Sequence, residues 1–318
     1  MQTSAEPSLS YEVAVVIPSY NCAPFLARAL DSVLGQTYRD FRIFVIDDGS
    51  ADATGDVLQL YSDRTVCLRQ PHAGAAAARN RGISASSSPY IAFLDADDLW
   101  LPTKLERQVH LLRNRADVGL ACSDFSISGA RENIASYFER VRVPADGRMF
   151  EHLVRECFLS TSCVVVRRRA IEDVGLFEES LAVSEDLNLW LRIASRWNVA
   201  VAREVLVAVR SQSKGLSATV GTQVKLSNEL AALQHVMSAC PGISCSERRA
   251  LRRAIAHSYY VNGSHQLASG VRDLARGHLA MALWHRPFHW RALTKLGTSF
   301  LPASVFKFLV GLHHRAFR

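Results

Sequence analysis

A chain of 318 residues, 48% of them hydrophobic, can bury a sizeable α/β core with a smaller appendage and is too apolar to be disordered. The net charge of +7 is uneven: residues 225–318 hold 13 Lys and Arg against 3 Asp and Glu, leaving 24 against 27 for residues 1–224. Seven cysteines stand singly with no CxxC pair, which argues for reduced thiols, and residues 1–10 lack the basic start and apolar run of a secretory signal, so a cytoplasmic chain is expected.

From residue 13, short apolar runs alternate with helical stretches. Val13–Ile17, Phe41–Ile46, Thr65–Leu68 and Tyr90–Leu94 read as buried strands; Pro24–Leu34, Ala51–Tyr61 and Gly74–Ala85 suit helices. This alternation predicts right-handed βαβ units and a Rossmann-like, mainly parallel sheet. Val118–Phe125, Cys163–Arg167 and Val199–Val209 read as further strands of a mixed sheet, with a helix over Glu185–Arg196. Beyond Ser217 the pattern is helical, around Leu226–Met237, Glu247–Tyr260 and Gly270–Leu283. The expected division is a polar extension over 1–10, an α/β catalytic domain over 11–220 and a basic helical region over 221–318.

Three polar clusters follow three of the strands: Pro18-Ser19-Tyr20-Asn21, Asp47-Asp48-Gly49-Ser50 and Asp95-Ala96-Asp97-Asp98. Open parallel sheets bind ligands outside the carboxyl ends of their strands, so the clusters are expected to line one crevice. Three aspartates within four residues raise one another's pKa unless a cation offsets them. Hard oxygen ligands suit Mg²⁺ or Mn²⁺ shared with phosphate oxygens, and the alternative is a turn and helix cap at Asp98. Asp47 and Asp48 either cap the next helix or accept hydrogen bonds from a nucleoside, with Tyr20 as a stacking surface for the base. Arg79, in a helix of small residues, is a phosphate contact or a solvated surface charge. Asp186 is the candidate general base: it lies in a first helical turn, four residues before Trp190 and on the same inward face. Glu185, Trp100, Thr161 and Ser162 are candidates for contact with donor sugar or acceptor. Motifs for a serine-hydrolase elbow, a P-loop or an HExxH zinc site are absent.

An ordered series of segments resembles the inverting glycosyltransferase family 2: Val15–Asn21, Ser32–Tyr38, Ile46–Ser50, Ala78–Gly82, Phe93–Trp100, Val174–Phe177 and Glu185–Arg192. The resemblance spans about Val13 to Ser217. It implies a GT-A fold in which Ser19, Tyr20, Asp47 and Asp48 hold the nucleoside, most often that of a UDP-sugar, and Pro18, Asn21, Arg79, Asp95 and Ala96 are further candidates for nucleotide contact. Asp97 is then the main ligand of a Mn or Mg ion, with Asp95 toward ribose and metal, and Asp186 the base of an in-line displacement that inverts the anomeric carbon. Two departures stand out. Gln212 occupies a place where many relatives have histidine, and the QxxRW segment of processive synthases is missing, which favours transfer of one sugar to a glycan or lipid-linked acceptor. A sugar nucleotidyltransferase and an inactive nucleotide-sugar-binding scaffold are the alternatives.

In the basic tail, Val305, Phe308, Leu309 and Leu312 share one helical face beside Lys307 and Arg315. No apolar run nears the roughly 20 residues of a membrane span. The tail therefore reads as an interfacial helix on an anionic membrane, at the inner face of the plasma membrane, or as a helix that docks on the catalytic domain or forms a homo-oligomer. Nucleic acid is not expected as a partner, because the aromatics are not interleaved with the charges.

Overall fold

The computed structural model describes residues 11–129, 132–211 and 220–300. The chain divides into two compact units between residues 219 and 220. Gln212 and the tail residues 305–315 discussed above lie outside the described residues, as does the extension over 1–10.

In the first unit, β1 (Val13–Ser19), β2 (Phe41–Asp47), β3 (Thr65–Arg69) and β4 (Tyr90–Phe93) pair in parallel in the order β3-β2-β1-β4. The helices α1 (Ala23–Leu34), α2 (Thr54–Leu60) and α3 (Ala75–Ser84) connect them. Residues of β1 alternate between two cores. Val13, Val15 and Ile17 pack with Leu26, Leu30 and Val33 of α1, whereas Ala14 packs with Phe44, Ile46 and Ala78 of α3 on the other face. A sheet covered on both sides requires such near-continuous apolar strands, and each large side chain so buried contributes about 1.5–3 kcal/mol.

The sheet continues through β7 (Val164–Arg167), β6 (Val118–Gly129), β8 (Asn198–Ser211) and the two-residue β5 (Leu99–Trp100). β7 runs antiparallel to both β4 and β6, and β5 antiparallel to β8, so the eight-stranded sheet is mixed, as expected. Unforeseen in the sequence are β5 and the helices α4 (Lys104–Arg113), α5 (Phe150–Arg155) and α6 (Arg168–Val174); α7 (Glu185–Arg196) has the bounds expected. On α4, Lys104 is wholly buried with Nζ 3.8 Å above the Trp100 ring and without a hydrogen-bond partner among the described residues. Burial, opposed only in part by Cys163, brings the amine down to about 7.

The second unit contains α8 (Thr222–Ala239), α9 (Cys245–Ala268), α10 (Arg272–His285) and α11 (Trp290–Thr298). Ser244 and Glu247 form a reciprocal capping box that starts α9. Gly263 of α9 lets Leu279 of α10 approach so closely that a Cβ there would lie 2.9 Å from Leu279 Cγ. No helix among the described residues is long and apolar enough to cross a membrane.

Candidate active site

The first two strand-end clusters are knitted together by the backbone. Pro18 follows the last β1–β4 pairing, Val16 with Phe93, so its missing N–H costs no ladder bond. Ser19 is buried and its carbonyl accepts from the Asp48 N–H at 2.8 Å, while its own hydroxyl lacks a partner among the described residues. Asn21 takes a left-handed conformation, φ 51°, which its short amide tolerates. That amide accepts from the Ala51 N–H at 2.9 Å, and the Asn21 N–H donates to Ser50 Oγ. Asn21 therefore spends its side chain on loop structure, not on the open crevice.

The two adjacent aspartates differ in what they hold. Asp47 accepts from the Ser50 N–H at 2.9 Å and lies 3.6 Å from Arg69 Nε. Asp48 is saturated: its carboxylate accepts from Gln70 Nε2, the Ala73 N–H and the Gly74 N–H at 2.8–2.9 Å and pairs with His72 Nδ1 at 2.8 Å. It folds the 70–74 loop that leads into α3, which leaves it little capacity for a nucleoside. The expectation of direct contact fits Asp47 and Ser19 better than Asp48 or Asn21. His72, unnoticed in the sequence, stacks on half-exposed Tyr20 with ring centroids 4.0 Å apart. Its signal was its place in a fourth polar segment, Gln70–Gly74, just past the end of β3.

After β4, the four residues Asp95–Asp98 divide their roles. Asp98 is buried; it accepts from Ser162 Oγ at 2.6 Å and from the Arg210 N–H at 2.9 Å. Burial, joined by the charges of Asp95 and Asp97, pushes its carboxyl well above the ordinary range. Ala96 is buried in the core, so only its backbone can face a ligand. Asp95 and Asp97 are the half-buried members. Ser162 and Trp100, expected near sugar or acceptor, are both buried: Trp100 Nε1 donates to the Ser162 carbonyl at 2.9 Å, and Ser162 Oγ accepts from the Asp95 N–H. The Ser32–Tyr38 segment braces the same turn, with Ser32 Oγ accepting from the Trp100 N–H and Gln36 clasping the Leu101 carbonyl and the Leu105 N–H.

Arg79 links the strand end to the helix bearing the candidate base. It is 5% exposed, with one nitrogen 2.7 Å from Asp95 Oδ1 and another 2.7 Å from Glu185 Oε1. Burial opposes its charge, but the two carboxylates prevail and raise its pKa. Glu185 is thereby engaged within the chain, and Arg79 acts as a bridge more than as a free phosphate contact. Next to it, Asn80 exchanges hydrogen bonds with the backbone of Phe177, and Arg192 of α7 donates to the Val174 and Leu176 carbonyls. Phe177 packs against Phe93 and Trp190, centroids 5.3 and 5.8 Å away. Three distant segments thus fix α3, β4 and the first turn of α7 against one another.

Asp186 follows Glu185 in that turn. Thr161 Oγ1 donates to its Oδ2 at 3.3 Å and the Leu187 N–H to its Oδ1 at 2.7 Å. Burial raises its pKa, which the Leu187 amide and Arg79 partly offset. Ser184, just before this helix, sits in the left-handed region at φ 67° and its hydroxyl forms no cap bond. A non-glycine residue held there just before the two acids is local backbone strain beside the candidate base.

The carboxylates that the sequence suggests for a divalent cation, Asp95 and Asp97, are half-buried, and Asp95 also pairs with Arg79. Among the described residues no group of three or more His, Cys, Asp or Glu is arranged to hold a metal by itself. Hard oxygen donors in a zone of excess negative charge fit an ion that takes one or two carboxylates and completes its shell with phosphate and water.

The profile described as Glycosyl transferase family 2 matches residues 14–175. An uncharacterized glycosyltransferase of Rickettsia typhi is 30% identical over 62% of this chain and 63% of its own length, so the chain spans less than two thirds of that relative. An Escherichia coli enzyme named UDP-Glc:alpha-D-GlcNAc-diphosphoundecaprenol beta-1,3-glucosyltransferase WfaP is 31% identical over 58% of this chain and 70% of its own. Among solved structures, S. aureus TarS 1-349 with UDP-GlcNAc superposes with a TM-score of 0.64 at 14% identity, covering 91% of this chain and 90% of TarS. The Pyrobaculum calidifontis mannosyltransferase PcManGT with GDP-Man and Mn2+ gives 0.60 at 17% identity, covering 97% and 86%. At such identities the structures speak for the fold, and the sequence match carries the membership: with a GT-A fold and half its length within the profile, this chain belongs to glycosyl transferase family 2.

Proposed function

We propose that the chain transfers a single sugar from a nucleoside-diphosphate sugar to a hydroxyl of a glycan or lipid-linked acceptor, with inversion at the anomeric carbon. The observation that carries this reading is the Arg79 bridge, which holds Asp95 at the end of β4 and the Glu185–Asp186 turn of α7 around one opening. The nucleoside would rest against Ser19, Tyr20 and Asp47. The unpartnered Ser19 hydroxyl supports a ligand there, since a buried hydroxyl left without a partner costs about 1–3 kcal/mol.

Asp186 accepts the proton of the acceptor hydroxyl as its oxygen bonds to the anomeric carbon; the bond to the diphosphate breaks and its electron pair leaves with the nucleoside diphosphate. Thr161 holds the carboxylate in place, and the raised pKa makes it a stronger base than an ordinary aspartate. Asp97 and Asp95 would hold Mn²⁺ or Mg²⁺, which when bound offsets charge on the departing diphosphate. The names of the relatives support the substrate classes: UDP-Glc and a diphosphoundecaprenol-linked sugar for WfaP, UDP-GlcNAc in the TarS complex, and Mn2+ in that of PcManGT. A lipid-linked acceptor would support a peripheral position of the chain on the inner face of the plasma membrane.

Release of UDP from UDP-glucose, with Mn²⁺ and a lipid-diphosphate acceptor carrying GlcNAc, tests the reading. Asp186→Asn is expected to lower turnover by about 10²–10⁴ while UDP still raises the melting temperature. Near-normal turnover would remove Asp186 as the base, and pyrophosphate release from a nucleoside triphosphate would point to the nucleotidyltransferase alternative.

A further inference from the structure

The second unit turns apolar surface outward. The inner side of α10, Ala275, Leu279 and Ala282, is fully buried. On its outer side Leu274, Met281 and Trp284 recur at spacings of seven and three, one helical stripe, and are 58%, 38% and 80% exposed. Beyond the end of α10, Phe288 is 92% exposed, and on α11 Trp290 and Leu293 are 66% and 60% exposed. Isolated apolar residues on a surface need no explanation, but six so exposed within twenty consecutive positions exceed a scatter and point to an interaction.

Charge selects the partner. Between residues 271 and 300 there are five basic side chains, Arg272, Arg276, Arg286, Arg291 and Lys295, against one acidic, Asp273, which Arg276 contacts at 3.0 Å. Arg291 lies 5.4 Å over the Trp290 ring, and Arg286 is exposed beside Phe288. Burial holds His278, His285 and His289 below the ordinary imidazole range, so at neutral pH the charge comes from Arg and Lys. A second copy of this face would oppose its own positive charge. Residues 301–318, with three Lys and Arg and no acid, would do the same. Nucleic acid would match the charge, yet Leu274, Met281 and Leu293 offer nothing to phosphates or base faces. An anionic bilayer satisfies both halves: acyl chains take the aliphatic residues, the interface takes tryptophan, and headgroups take the basic rim.

We propose that the outer side of α10 and the start of α11, centred on Trp284, Phe288, Trp290 and Leu293 and rimmed by Arg286 and Arg291, docks this chain on an anionic lipid bilayer. This rests on the peripheral membrane reading above and gives it an address.

The full chain is sedimented with phosphatidylcholine vesicles with and without phosphatidylglycerol. Binding is expected only with phosphatidylglycerol and to weaken with salt. Trp284→Ser with Phe288→Ser should lower the partition coefficient at least tenfold, and Arg286→Ser and Arg291→Ser about fivefold each. Because these side chains face solvent, unchanged melting curves are expected, and quenching of tryptophan fluorescence by brominated acyl chains, lost in Trp284→Phe with Trp290→Phe, reads the insertion without a destabilising change. Undiminished binding by the serine variants would overturn the address while leaving membrane association intact; failure to bind any vesicle would overturn both. Self-association, or oligonucleotide binding, abolished by the same variants would assign the face to a second copy or to nucleic acid instead. None of these outcomes depends on glycosyl transfer.

Discussion

Asp186 and Asp98 are both raised by burial, yet the environments separate their uses. Asp98 has both oxygens engaged by donors, Ser162 and the Arg210 amide, and serves as a strut; burial and the charges of Asp95 and Asp97 raise its pKa against those two bonds. As the proposed base Asp186 would need its charge to take a proton, so transfer is expected to fall as pH drops through a pKa above that of an ordinary aspartate. Thr161 donates to the charged form; Thr161→Val removes that help and should move the acid limb of kcat/KM to higher pH, with little change on the alkaline side. A profile that does not move would mean that Thr161 plays no part in the ionisation. Neighbouring acids thus acquire different work from partners tens of residues away, which is why their identities were visible in the sequence and their division of labour was not.

At the scale of elements, α3 is set by Gly82, where an added Cβ would lie 2.4 Å from Val16 Cγ1 of β1. Gly82→Ala should cost about 1–3 kcal/mol by overpacking. Arg79 is one turn away on the same helix, so the shift should also loosen the Asp95–Glu185 bridge and lower transfer beyond the loss of folded protein; a stability loss at full specific activity would refute that coupling. The strands and α7 were legible because apolar runs and a clean stripe announce them. Helix α4 was hidden by its own inward face, where Lys104 and Gln108 are buried among Leu105, Val109 and Leu112 and break the apolar pattern. Two-residue β5 is too short to have any period, and the antiparallel turn of β7 depends on pairings that no local pattern carries. Strand-end clusters stood out as polar residues after apolar runs. The saturation of Asp48, the burial of Trp100 and Ser162, and the stacking of His72 on Tyr20 depend on long-range contacts.

For the molecule as a whole, the buried amine of Lys104 ties stability to pH. Lysine in the unfolded chain titrates at 10.5 and the native amine at about 7, so between those values the unfolded chain binds the extra proton and stability rises with pH. The penalty is complete below about 7. Lys104→Met should flatten that slope in urea unfolding at neutral and alkaline pH, and raise neutral stability by roughly 1–4 kcal/mol; an unchanged slope would exclude Lys104 as its source. The four donors gathered by Asp48 have a consequence of another kind. Since Ala73 and Gly74 donate their amides to a buried carboxylate anchored at the end of β2, those hydrogens can exchange with heavy water only when the 70–74 loop lifts away. Their deuteration rates are therefore a clock for opening of the proposed nucleoside side of the site, expected to slow when UDP is added and to quicken in Asp48→Asn, readable on a chain that has never met an acceptor.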